Sequence, residues 1–130
     1  MPGAPPLVAI VDDDESIREA TANLLQSVGW STATFEDAMS FLRSPQRGSA
    51  ACVVADVRMP GLTGLEMYEE LVASGEAIPT VLITAYPDDS VRARASDAGI
   101  VCCLGKPFAP EQLLHCVREA LAKSRRGHTS

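Results

Sequence analysis

Along this chain, short runs of β-branched and other apolar residues alternate with stretches where apolar residues recur every three or four positions. LVAIV (7–11) precedes Ile17, Ala20, Leu24 and Val28, a helical spacing that Gly29 ends. STATF (31–35) leads to Ala38, Phe41 and Leu42, a short helix halted before Pro45. AACVVA (50–55) predicts a third strand, and Leu65, Tyr68, Leu71 and Val72 the helix after it, with Gly75 beyond its end. TVLIT (80–84) predicts a fourth, before a weaker helical pattern over 88–98 with Val91, Ala95 and Ala98, ending at Gly99. VCCL (101–104) predicts a fifth, and Pro110 suits the first turn of a last helix carrying Leu113, Val117 and Leu121.

Five strand–helix units predict an α/β domain, a doubly wound five-stranded parallel sheet with five helices on its two faces. LVAIV, CVVA and TVLIT are almost continuously apolar, as strands covered on both sides are. Right-handed crossovers leave few topologies, and the flavodoxin-like order 2-1-3-4-5 is the expected one. The domain is expected over 7–122, with an N-terminal extension at 1–6 and a tail or the start of a linker at 123–130.

At 130 residues, 46% hydrophobic and 22% charged, the chain fits one domain with a single core. Its apolar runs fall well short of the ~20 residues that span a bilayer, so no membrane association is expected. The opening MPGAPP lacks the basic and apolar regions of a secretory signal, which points to the cytoplasm. A net charge of −6 argues against direct nucleic-acid binding, which needs a basic face. Lys123, Arg125 and Arg126 form a small basic tail that suits a helix C-terminus. Cys52, Cys102, Cys103 and Cys116 lack metal-ligand spacing, and Cys102 and Cys103 would point to opposite faces of a strand. His115 and His128 are isolated.

The polar residues at the predicted strand ends are of a different kind. In such a sheet, ligands bind outside the carboxyl ends of the strands, where the strand order reverses. Asp12 and Asp13 follow the first strand, Asp56 the third, Thr84 closes the fourth and Lys106 follows the fifth. Acids after a strand also cap the next helix, a reading that fits Asp13 or Asp14 alone as well as the functional one does. Clustered carboxylates repel by about 4 kcal/mol per pair at ~4 Å and an effective dielectric of ~20, so the set calls for a cation. A few oxygen ligands with room for water suit Mg²⁺, with Mn²⁺ as a substitute. A carboxylate beside such an ion can attack a phosphoryl group, while Lys106 and Thr84 meet the phosphoryl oxygens.

With LVAIVDDDESIR, VVADVRMPGLTGLEM, PTVLITAY and GKPFAPEQLL in place, the chain resembles the receiver domains of two-component response regulators, most of all the FixJ-type branch. Receivers themselves exemplify the 2-1-3-4-5 order, so alternation and resemblance are one expectation rather than two. The resemblance implies that Asp56 accepts a phosphoryl group from a sensor histidine kinase or a small phosphodonor. It implies Mg²⁺ held by Asp13, Asp56 and the backbone carbonyl of Arg58, with Asp12 acting through water. Thr84 would move toward the phosphate, Lys106 would pair with it, and a cis peptide at Pro107 would aim the lysine. Pro60 and Gly64 would shape the loop after Asp56, and Arg58 and Tyr86 would tune loss of the phosphoryl group. The chain would be a switch that catalyses only its own phosphorylation and dephosphorylation. It would act on an output domain or partner protein, with phosphorylation-dependent homodimerisation common in the family and transcription a frequent output.

Two departures stand out. Cys103 occupies the position three before the lysine, where the family usually has Tyr or Phe, and Ile100 stands where a small residue is common. A pseudo-receiver, a constitutive interaction module without phosphorylation, is therefore the alternative. A haloacid-dehalogenase-like phosphatase would need an acid where Arg58 stands, and a flavodoxin-like electron carrier a Ser/Thr/Gly-rich loop where DDDES stands.

Overall fold

The computed structural model of the chain describes residues 5–85 and 89–128. Its elements are β1 (Leu7–Val11), α1 (Glu15–Ser27), β2 (Ser31–Phe35), α2 (Ala38–Leu42), β3 (Ala50–Asp56), α3 (Gly64–Ala73), β4 (Thr80–Thr84), α4 (Asp89–Ala98), β5 (Cys102–Gly105) and α5 (Pro110–His128). The strands form one parallel sheet in the order β2-β1-β3-β4-β5. The expected architecture is the observed one.

Period-two alternation divides the core between the two faces of the sheet. Val8, Ile10, Cys52, Val54, Val81 and Ile83 pack with α1 and α5, while Ala9, Val11, Val53, Ala55 and Leu82 pack with α2, α3 and α4. Cys102 joins the first cluster and Cys103 the second, so adjacent cysteines do face opposite ways. Helix starts are set by side-chain caps. Asp14 accepts from the Ile17 amide and Asp37 from the Ser40 amide. Thr63 and Glu66 form a reciprocal capping box on α3. Gly29 and Gly99, at φ 95° and 99°, follow α1 and α4 in the left-handed region that favours glycine.

The structure corrects several expectations. The buried line of α1 is Thr21, Ala22 and Leu25, while Ile17 and Leu24 are half-buried and Ala20 and Val28 exposed. Ile17, Ala20 and Leu24 face a groove of about 500 Å³ shared with Pro107, Phe108 and Leu113, so the sequence stripe marks the side toward α5 rather than the sheet. Pro45 opens a 3₁₀ turn, Pro45–Ser49, in addition to stopping α2. Val72 is exposed, and β5 begins one residue later than expected. Helix α5 runs from Pro110 to His128, with no proline or glycine after its first residue to interrupt it before Gly127.

The first turn of α3 lies hard against the end of β3. Gly64 has ordinary helical backbone, yet a Cβ there would stand 2.5 Å from the Asp56 carbonyl oxygen and 3.0 Å from a Leu82 methyl. What position 64 requires is space. Gly64→Ala should therefore destabilise the fold by about 2 kcal/mol, read by urea denaturation, despite alanine's better helix propensity.

Candidate functional site

The sheet delivers acids to one rim because β1 and β3 are central neighbours. Val11 pairs with Ala55, so Asp12 and Asp56 stand at the next step of the same ladder. Asp56 is the last residue of β3 itself, 9% exposed, and Asp12 is 4% exposed. The Asp12 amide donates to the Phe35 carbonyl at 3.1 Å, extending the β1–β2 ladder by one residue. Its Oδ1 accepts from the Asp14 amide at 2.9 Å, and its carbonyl accepts from Arg18 Nη1 at 2.7 Å. The three consecutive aspartates thus divide their work: Asp14 caps α1, Asp12 is buried in the rim and Asp13 is exposed beside it.

Both oxygens of Asp56 are engaged. Oδ1 accepts from the Arg58 amide at 3.0 Å and Oδ2 from Lys106 Nζ at 2.9 Å. Lys106 Nζ also stands 3.9 Å from Asp12 Oδ2, so one ammonium serves two buried carboxylates. The lysine is tied to β4 by its own amide, which donates to the Thr84 carbonyl at 2.8 Å. Thr84 is buried at the end of β4, and the Lys106–Pro107 bond is cis, as expected. Tyr86 lies outside the described residues.

One oxygen from each of Asp12, Asp13 and Asp56 lies within 4.8 Å of the others. Burial pushes the Asp12 carboxyl above its ordinary value, and the charges of Asp56 and Asp13 add to this. The Asp14 amide and Lys106 work the other way. Oxygens at ~2.1 Å from Mg²⁺ stand ~3 Å apart when adjacent and ~4.2 Å when opposite. The oxygen-only set, already within 4.8 Å, fits such an ion after slight closing.

Cys103 is half-buried on β5 and packs against the cluster containing Ala95 and Ile100. Burial raises its pKa and those of Cys52 and Cys116, so these thiols are poor nucleophiles at neutral pH. Sequence reasoning missed two supports of the site, the Phe35 carbonyl and Arg18. A signal for the latter was present: an arginine on the second turn of a helix whose start is otherwise acidic.

The family model for the response regulator receiver domain matches residues 8–118. The chain is 37% identical over 115 residues to the response regulator protein TodT of Pseudomonas putida, covering 88% of this chain and 51% of that protein. It is 33% identical over 117 residues to the transcriptional regulatory protein FixJ of Bradyrhizobium diazoefficiens, covering 90% and 57%. The solved structure of the response regulator StyR superposes with a TM-score of 0.89 at 40% identity, covering 97% of this chain and 64% of that one. The chain therefore spans about half the length of the curated relatives it matches.

The crowded acids generate a stability prediction. A carboxyl with a raised folded pKa stays protonated in the folded state after the unfolded chain has ionised. Stability should therefore fall as pH rises from about 3.8 through the folded value. Asp12→Asn keeps the oxygen that accepts from Asp14 and removes the charge. Without metal at pH 7 it should stabilise the chain by about 1 kcal/mol in urea denaturation, with the gain gone below about pH 3.8.

Proposed function

The chain belongs to the response regulator receiver domain family of two-component systems, and from that premise we propose that it is a phosphorylation switch whose acceptor is Asp56. The observation that carries this reading is the Asp56 carboxylate at a strand end, with Lys106 at 2.9 Å and two further carboxylates within 4.8 Å. Asp13, Asp56 and the Arg58 carbonyl would hold Mg²⁺ or Mn²⁺, with Asp12 acting through water. When bound, the metal would offset negative charge on the transferring group.

The chain's own residues supply the rest. An Asp56 oxygen forms a bond to phosphorus while the bond from phosphorus to the kinase histidine, or to the oxygen of a small donor, breaks and the leaving group departs. Lys106 exchanges its carboxylate partner for a phosphoryl oxygen, so its charge stays compensated throughout. The Arg58 amide holds the other Asp56 oxygen, and the Thr84 hydroxyl hydrogen-bonds the phosphoryl group. The product places a phosphoryl group of nearly two negative charges and three acceptor oxygens beside β4, in exchange for the single charge of the Asp56 carboxylate. Helix α4 suits the role of moving element, because among its described residues Ala95 alone is fully buried.

The acceptor is modified rather than turned over, so the chain acts as a switch and not as an enzyme on an external substrate. We assign it a sensor histidine kinase as donor and an output domain or protein as target, in the cytoplasm. Transcriptional output is suggested by relatives named as transcriptional regulators, and it would be exerted by a segment or partner other than this acidic domain. Phosphorylation-dependent pairing of two copies is part of the same proposal.

Two experiments bear on this reading. Incubation with Mg²⁺ and acetyl phosphate should add one phosphoryl group by intact mass, absent in Asp56→Asn and without metal. No adduct with any donor would favour the pseudo-receiver. Arg58 and Tyr86 each lie two residues beyond a site residue, and their large side chains would shield the phosphoryl group from water. The Arg58→Ala/Tyr86→Ala variant should therefore lose its phosphoryl group several-fold faster than wild type, and slower loss would refute shielding.

A further inference from the structure

We infer that Arg18 is a positioning residue for the metal-binding acids, acting through the peptide that joins Asp12 to Asp13. The inference rests on the reading of the rim as a Mg²⁺ site. Arg18 lies in the second turn of α1 and is half-buried. Its Nη1 returns over the start of its own helix to donate to the Asp12 carbonyl at 2.7 Å. Its amide donates to the Asp14 carbonyl at 3.0 Å, so backbone and side chain of one residue hold both ends of the Asp12–Asp14 segment.

The geometry gives this contact consequences for Asp13. A peptide unit is planar, so fixing the Asp12 carbonyl fixes the direction in which Asp13 leaves it. Asp12 has other restraints, its amide on Phe35 and its carboxylate on the Asp14 amide. Asp13 is exposed, so packing does not place its carboxylate and the preceding backbone does. Groups that orient metal ligands from behind commonly change metal affinity by ~10–100-fold when removed. A guanidinium suits this role better than an ammonium because its planar fork meets a carbonyl in a fixed direction.

Positioning and plain charge predict opposite signs. A cation near the site repels Mg²⁺, so if Arg18 mattered through charge, its loss would tighten binding. If it positions Asp13, its loss weakens binding. Mg²⁺ affinity of wild type, Arg18→Met and Arg18→Lys would be measured by calorimetry at constant ionic strength, with circular dichroism to establish folding. We expect Arg18→Met to bind Mg²⁺ about 10-fold more weakly, and Arg18→Lys to recover part of the loss. In phosphorylation by acetyl phosphate, the Mg²⁺ requirement of Arg18→Met should rise while its rate at saturating Mg²⁺ stays within about 2-fold of wild type. Unchanged or tighter binding in a folded Arg18→Met would overturn the inference. If that variant fails to fold, Arg18→Lys decides: unchanged affinity overturns the inference and weaker binding supports it. Absence of Mg²⁺ binding by wild type would instead overturn the metal-site reading.

Discussion

Three carboxylates stand at one rim with an oxygen from each within 4.8 Å of the others, an arrangement that repulsion opposes. It persists because the backbones carrying Asp12 and Asp56 cannot separate. They leave adjacent central strands whose side chains fill the core on both faces, and parting them would open that core. The ammonium of Lys106 relieves part of the repulsion by serving Asp56 and Asp12 together. That lysine arrives from the edge strand β5, aligned by its amide on the Thr84 carbonyl. Much of the architecture follows from this constraint, since each central strand must be rigid enough to hold an unfavourable charge in place.

The same rim is anchored unevenly. Its acid side is fixed by the amides of Asp14 and Arg58, the Phe35 carbonyl and the Arg18 guanidinium. Its other side leads to α4, which among its described residues buries a single alanine fully. Rigid acids and a weakly held neighbouring helix are what a charge-driven switch requires, because a new charge moves whichever element has least to lose. Cys103 and Ile100 lie beneath that helix in the cluster that includes Ala95. A thiol there fills less space than an aromatic ring, so under the proposed switch α4 would move without a ring turning inward beneath it.

The flavodoxin-like architecture was legible from the alternation of strand-like and helical periods. β1, β2 and β4 appear at the expected residues because continuous or β-branched apolar runs bounded by turns have few other readings. The family was legible too, since DDD, VVAD, PTVLIT and GKPF together carry chemistry that packing alone does not ask for. Less legible was the face each helix presents. In α1 the conspicuous apolar spacing borders the groove toward α5, while Thr21, Ala22 and Leu25 meet the sheet. A helix touching two neighbours has two buried sides, and hydrophobicity alone does not rank them.

Which residues could do chemistry came from residue type and periodicity, which are local properties, and the order of strands that brings them to one rim came with the family resemblance. What only the tertiary structure decided was how those residues are held. Arg18 on the Asp12 carbonyl, Gly64 against the Asp56 backbone and Lys106 shared by two acids are contacts to main-chain atoms or to side chains distant in sequence. Every residue presents the same carbonyl and, proline apart, the same amide, so no pattern of residue types announces which one a distant side chain will meet. That choice is made when the strands and helices pack.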